Sequence, residues 1–368
     1  MSDPRIVAVA DVLVNYSTQI QPGDLVAISG STQATPMLQA VYQKVLEAGG
    51  HPHVIAEIPG IQELFYELAS EEQLTFISPI QRLILNEFDA TISIGGAFNT
   101  KALSNVEPAR QAMRQSALRE ITEIFMRRGA SGDLKWVGTI FPTNAYAQDA
   151  EMSLREFEDF TYRACLVHEP DPVAAWQAVS TNQARLIDYL SDKDQVRILS
   201  EDTDLTLSIK GRTFINADGK HNFPDGEIFT GPVENSVNGV VSFDFPAVAA
   251  GREVEGVRLR FEEGRVVEAH ARKNEAYLHE MLKTDEGALY LGEFAFGTNY
   301  NIQRFTRNTL FDEKIGGTVH MALGAGYPET GSQNKSALHW DMVCDLRRGG
   351  EVYVDGELFQ KDGEFVLS

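Results

Sequence analysis

The hydrophobic pattern changes its period near residue 190, and this change constrains the fold more than any other feature of the chain. In the first half, short apolar runs alternate with helical patterns. Asp24-Leu-Val-Ala-Ile-Ser29 reads as a buried strand. Thr35 and Pro36 then open a helix as cap and first-turn residue, with Leu38, Val41, Val45 and Ala48 along one face and Gly49-Gly50 as the stop. His53–Ile58, Ala90–Ile94 and Lys135–Phe141 supply further strands. Helical stretches lie between and after them, among them Arg110–Arg128 with its spaced arginines. Short apolar strands separated by helices predict a mostly parallel sheet covered by helices.

Beyond about residue 195 the texture is different. Val196–Leu199, Asp204–Lys210, Val237–Phe243, Val257–Phe261 and Val266–Ala271 follow one another as short strands punctuated by Gly and Asp, with one helix near Asn274–Lys283. Leu205, Leu207 and Ile209 alternate with polar neighbours, as a strand with one buried face requires. The tail adds Glu351–Val354, an Asp355-Gly356 turn and Glu357–Phe359, a hairpin signature. The expected fold is an α/β N-terminal domain with a mostly parallel sheet over residues 1–190, then an α+β, largely antiparallel C-terminal domain over residues 191–368. The boundary is placed after a helix Val173–Leu190.

Charge narrows the function classes. Among 368 residues, 53 acids against 32 bases give a formal net charge of −21, with a pI near 4.8. Such a surface does not displace counterions from phosphate, so nucleic acid is not an expected partner, and neither is an anionic membrane surface. Two cysteines, Cys165 and Cys344, are too few for a disulfide framework or a thiolate zinc cage. The start, Met1-Ser2-Asp3-Pro4-Arg5, lacks the basic and apolar regions of a secretory leader, and no apolar run reaches membrane-spanning length. A soluble cytoplasmic protein is expected.

Familiar nucleotide and hydrolase signatures are missing. Ile28-Ser-Gly-Ser-Thr32 has the strand-to-helix context of a phosphate loop without its glycine spacing or its Gly-Lys-Ser/Thr, and reads as an ordinary turn. Gly95-Gly96 could line a crevice at a sheet switch point or simply make a tight turn. No Gly-x-Ser-x-Gly elbow is present.

The second half carries the chemistry. In His339-Trp340-Asp341 the outer side chains share a face if the stretch is a strand, and imidazole plus carboxylate on one face is a common way to hold a transition metal. Taken alone, a histidine and an aspartate at this spacing are more often a hydrogen-bonded surface pair. His320 stands in the glycine-rich run Gly316–Gly324. Three acids could complete a site: Glu227 between Pro224 and Pro232, Glu293 inside the apolar run Leu291–Gly297, and Glu313 seven residues before His320. Glu293 is the most telling, because an ionised carboxylate in such a strand is costly unless paired or coordinated. For each acid singly, a solvated turn or an ion pair is the competing explanation. His51, His53, His168, His221, His270 and His279 lack such company.

In their order along the chain, these stretches resemble the aminopeptidase T and aminopeptidase S family of two-metal metalloaminopeptidases. The resemblance runs through Ile20-Gln-Pro-Gly-Asp-Leu-Val-Ala-Ile28, Met152-Ser-Leu-Arg-Glu-Phe-Glu-Asp-Phe160 and Pro224-Asp-Gly-Glu-Ile-Phe-Thr-Gly-Pro232. It continues through Leu291-Gly-Glu-Phe-Ala-Phe-Gly297, Asp312-Glu-Lys-Ile-Gly-Gly-Thr-Val-His320 and His339-Trp-Asp341. It implies metal ligands at Glu227, Glu293, His320, His339 and Asp341, with Glu313 near a further family glutamate whose spacing to the histidine varies. It also implies a catalytic tyrosine at Tyr327, in Gly324-Ala-Gly-Tyr-Pro328. The implied cofactors are two divalent ions (Zn, Co, Mn or Mg), and the implied assembly is a homodimer whose sites face an internal cavity.

The expected activity is removal of N-terminal residues from short peptides with a free amino terminus. Neutral water is a poor nucleophile and a peptide carbonyl a poor electrophile; two divalent cations acidify the water and polarise the carbonyl. Glu293 is the expected bridge, Glu313 the proton acceptor and Tyr327 the donor to the developing oxyanion. Alternatives are another two-metal hydrolase of small amides or phosphoesters, and a non-catalytic metal-binding protein.

Overall fold

A computed structural model of the chain describes residues 3–249 and 252–367. Two compact units emerge: one from residues up to Ala175 with Gly219–Pro224, the other from Trp176–Asp218 and from Asp225 onward.

The first unit is built on a parallel sheet. Its spatial order is His51–Glu57, Leu25–Ser31, Ala90–Gly95, Lys135–Ile140 and the short strand Asn222–Phe223. Leu25–Ser31 lies inside the sheet and is buried at Val26, Ala27 and Ile28, whereas the edge strand His51–Glu57 is largely exposed. The helix Thr35–Glu47 buries Met37, Leu38, Val41 and Val45 at helical spacing. Its start differs from the expectation. A 3₁₀ turn, Thr32–Ala34, comes first; the capping side chain is Ser31, which accepts from the Gln33 N–H, and Thr35 is already helical.

The Arg110–Arg128 stretch is two helices, Pro108–Ala117 and Arg119–Ser131, joined at Leu118. Three of its arginines are structural caps. Arg110 donates to Tyr66 O at 2.8 Å, Arg114 to Phe76 O at 2.8 Å, and Arg128 to Leu85 O and Phe88 O at 2.7 and 2.9 Å. Each thereby satisfies orphan carbonyls at the end of one helix: Ile61–Leu68, Glu71–Thr75 or Pro79–Glu87.

The second unit contains two large antiparallel sheets. One has eight strands in the spatial order Arg265–His270, Arg258–Glu262, Asn238–Ser242, Thr203–Ser208, Gln195–Ser200, Glu351–Val354, Glu357–Lys361 and Glu364–Phe365. The other has five, ordered His339–Asp345, Thr318–Gly324, Leu291–Gly297, Glu227–Thr230 and Ile215–Ala217. A single apolar core joins them, with Val196, Ile198, Leu205 and Leu259 from the larger sheet and Phe294, Phe296, Met321 and Trp340 from the smaller.

The division falls inside the first turn of the helix Pro172–Leu190, between Ala175 and Trp176, where the hydrophobic pattern suggested a boundary behind the helix. Side chains explain the difference. Leu190 joins the core of the second unit, and the amide of the buried Gln183 donates to Ala217 O at 3.1 Å and also to Glu227 O. The helix therefore braces the strand that carries Glu227.

Candidate metal centre

The five-stranded sheet has two unlike faces because side chains alternate along each strand. Phe294, Phe296, Met321, Leu323, Trp340 and Met342 point into the core. The residues between them carry the charge. Glu227, Glu293, His320, His339 and Asp341 come from four neighbouring strands, and register brings them together. Glu227 is paired with Gly297, Glu293 with Ala322, His320 with Ala295, Asp341 with Ala322 and His339 with Gly324. On at least one neighbouring strand every one of the five thus stands opposite a Gly or an Ala, although His320 also faces Val343. A larger partner would fill the space in which the long acidic and imidazole side chains converge.

Backbone geometry contributes at both ends of the cluster. Gly226 has φ +121°, and a Cβ there would lie 2.7 Å from Asn299 Cβ, so the residue before Glu227 has to be glycine. At Gly297 a Cβ would lie 2.1 Å from Ile315 O, so glycine admits the segment carrying Glu313 and Lys314.

Both imidazoles are oriented from behind. His320 Nδ1 lies 3.1 Å from Glu313 O, and His339 Nδ1 lies 2.8 Å from Ala325 O. A carbonyl only accepts, so each Nδ1 carries the proton and each Nε2 faces the acids. His320 Nε2 lies 3.3 Å from Glu227 Oε2 and 3.5 Å from Glu293 Oε1. His339 Nε2 lies 3.3 Å from Glu293 Oε2 and 3.5 Å from Asp341 Oδ1.

A lone pair aimed at carboxylates is repelled unless a cation lies between them, either a proton on the ring or a metal. Burial opposes charging of the rings, yet the acids outweigh it. Glu227 and Glu293 push His320 up to about 9, while Asp341 and Glu293 push His339 up to about 11. Protons are an incomplete solution, because Glu227 Oε2, His320 Nε2 and Asp341 Oδ1 remain buried without a hydrogen-bond partner. A metal ion satisfies such atoms. Glu227, Glu293 and His320 bring donor atoms within 4.8 Å of one another, and Glu293, His339 and Asp341 do the same. Mixed carboxylate and imidazole donors suit a divalent transition metal better than calcium.

Glu313 belongs to neither triad. Its carboxyl pairs with Lys314 and lies within hydrogen-bonding reach of Asp341, and burial pushes it well above the ordinary carboxylate range despite the neighbouring ammonium. Lys314 is the residue that sequence reasoning missed. It is 1% exposed and lies 3.0 Å from Glu227 Oε1, and although burial opposes its charge, Glu227 and Glu313 hold it protonated. The available signal was a lysine directly after Asp312-Glu313 and directly before the run Ile315-Gly-Gly317. Tyr327 stands at the rim, its ring edge-on to His339 at 5.3 Å and 5.2 Å from Phe229. Burial and the nearby carboxylates raise its pKa, so the phenol keeps its proton and is a donor.

Residues 2–365 match the thermophilic metalloprotease (M29) family. The chain belongs to that family. It is 26% identical to aminopeptidase 2 of Geobacillus stearothermophilus, over 96% of this chain and 94% of the relative. It is also 26% identical to aminopeptidase AmpS of Bacillus subtilis, over 96% of this chain and 92% of the relative. The fold is that of wild-type AmpT from Thermus thermophilus, with a TM-score of 0.85, 24% identity and 99% of each chain covered. A 2,5-dihydroxypyridine dioxygenase from Pseudomonas putida KT2440 shares the fold at a TM-score of 0.61 and 13% identity, covering 100% of this chain and 99% of that one. One architecture thus hosts proteins with different names, and function has to be argued from the site.

Proposed function

We propose that this metalloprotease is an aminopeptidase that removes N-terminal residues from short peptides, with the cluster on the five-stranded sheet as its catalytic centre. The observation that carries this reading is the pair of triads sharing Glu293, with buried, unsatisfied donor atoms turned inward. The relatives' names, all aminopeptidases, point the same way.

Glu227 and His320 would hold one divalent ion, His339 and Asp341 a second, and Glu293 both. Charge supports cations at both imidazoles: the carboxylates of Glu227, Glu293 and Asp341 are balanced by Lys314 and by protons on His320 and His339, which metal ions would replace. Divalent cations held by these residues would supply Lewis acidity toward a water and the scissile carbonyl. Glu313, beside Asp341 and outside both triads, would accept the water's proton once cations bound beside it draw off its own. Tyr327 donates to the developing oxyanion. The α-amine of the substrate is held by the acidic cluster, which restricts cleavage to the first residue.

Two further features belong to this proposal. A homodimer is supported by the apolar side chains that the first unit exposes, among them Ile58, Leu68, Phe76, Ile80 and Phe98. A cytoplasmic location is supported by Cys165 and Cys344 being thiols. Among the described residues, no helix is long and apolar enough to cross a membrane.

The test compares a tripeptide with its N-acetylated twin, before and after chelation. Acetylation removes the basic amine and leaves the scissile amide intact, so kcat/KM is expected to fall by roughly three orders of magnitude or more. Equal cleavage of both, or full activity in metal-free protein, would overturn the reading.

A further inference from the structure

A buried ion pair is commonly no more stable than the apolar side chains of similar volume that could replace it. Lys314 is nevertheless buried, with its ammonium 3.0 Å from Glu227 Oε1 and paired also with Glu313. Stability alone does not account for a lysine in this place.

The backbone shows that the contact is built. Lys314 O accepts from the Asn299 N–H at 3.0 Å, and the Asn299 side-chain amide donates to Asp225 O at 2.9 Å, two residues before Glu227. The Lys314 N–H donates to Phe311 O at 3.0 Å, which closes the helix Thr309–Asp312 behind it. Buried Asn299 thus anchors both the segment that carries Lys314 and the approach to the strand that carries Glu227. The spacing of ammonium and carboxylate is fixed from both sides.

The two oxygens of Glu227 have different surroundings. Oε1 is taken by Lys314. Oε2 lies 3.3 Å from His320 Nε2 and is buried without a hydrogen-bond partner. A carboxylate with both oxygens free can bind a cation through the pair, whereas one with an oxygen engaged offers the other alone. Glu227, Glu293 and His320 then supply one donor atom each. A catalytic ion held by three protein donors keeps a position for water or substrate, and a fourth protein donor closes it.

We propose that Lys314 is a positioning residue that holds Glu227 to ligation through Oε2 alone, and so keeps a coordination position open for water and substrate. The inference rests on the metal-centre reading and adds to it a residue outside both triads. The same ammonium holds Glu313, so one side chain sets the spacing between a ligand and the proton acceptor. Without Lys314, Glu227 is free to bind through both oxygens and Glu313 loses its anchor.

The experiment loads wild type, Lys314→Met and Lys314→Gln with Co²⁺ and reads visible absorption, Co²⁺ affinity and the kinetics of cleaving one tripeptide. Four- and five-coordinate Co²⁺ absorbs far more strongly in the visible than six-coordinate Co²⁺, so strong bands are expected in wild type. In both variants the bands should weaken as Glu227 adds its second oxygen. Co²⁺ affinity should match or exceed that of wild type, because a repelling charge has gone. The kcat should fall about 10²-fold, the cost of a misplacement of about 1 Å, with KM within about threefold. Circular dichroism of the loaded proteins shows which variants fold, and either one suffices. A lysine that only supports the fold predicts looser metal binding, with spectrum and kcat per bound ion unchanged, and that result overturns the assignment while the metal-centre reading stands. A wild type whose Co²⁺ bands are already weak overturns it without any variant. A wild type that takes up neither Co²⁺ nor Zn²⁺ overturns the metal-centre reading and the assignment with it.

Discussion

The ammonium of Lys314 lies 3.0 Å from Glu227 Oε1, and both side chains are almost completely buried. Lys314 also pairs with Glu313, so a single cation ties the strand carrying Glu227 to the segment over Gly297. Replacing one partner of a buried ion pair strands the other charge, at a cost of about 3–5 kcal/mol. Lys314→Met should therefore lower the Tm of metal-free protein by several degrees. Added Zn²⁺ or Co²⁺ should recover part of the loss by drawing Glu227 into coordination. Calorimetry of both proteins with and without metal checks this; an unchanged Tm would make the pair energetically irrelevant.

Metal binding should itself stabilise the fold. A ligand at about 100 times its Kd adds about 2.7 kcal/mol, so chelation of the native protein should lower its Tm visibly. His339→Ala removes a donor from one triad and leaves the Glu227–Glu293–His320 group complete. It should lose at least one metal equivalent and most of its activity while keeping the remaining site. Plasma emission spectrometry on the dialysed variant gives the count.

Tyr327 keeps its phenolic proton beside His339. Tyr327→Phe removes only the hydroxyl, so metal content should match wild type while kcat falls by roughly 10²–10³. A kcat within about twofold of wild type would move the oxyanion donor elsewhere.

Acid stability has an identifiable contributor away from the cluster. Burial pushes the Glu234 carboxyl up, but the Gln333 N–H at 2.7 Å and the Arg212 guanidinium outweigh it and hold the group below its ordinary 4.5. A depressed folded pKa means that the unfolded chain binds its proton first as pH falls. The stabilisation is then complete above about 4.5 and is lost as pH drops through the lower folded value. Glu234→Gln should accordingly be less stable than wild type near neutrality, and the gap in Tm should close between about pH 6 and about pH 3. A gap that stays constant with pH would remove Glu234 from the account.

Much of the site could be read locally. His339 and Asp341 are two apart in a strand and must share a face, and Glu293 is conspicuous as the lone charge in an apolar run. Register was not readable. Nothing near Glu293 says that Ala322 lies opposite, or that His320 faces Ala295. Lys314 was overlooked for the same reason, since a lysine in a loop reads as solvated until the strand it pairs with is known. The arginines of Pro108–Ser131 show the converse: their spacing is visible, but the carbonyls they cap belong to helices earlier in the chain.

By itself the sequence determined the two architectures, the strand and helix periods, and which residue types had to be buried or exposed. These follow from steric and hydrophobic preferences that act over a few residues. Only the tertiary structure decided that the helix from Trp176 to Leu190 belongs with the second unit, that five acidic and imidazole side chains on four strands converge, and that one buried lysine offsets part of their charge. Those outcomes depend on which distant strands pair and in what register. That choice is made by the summed burial of the whole sheet, where no local pattern carries it.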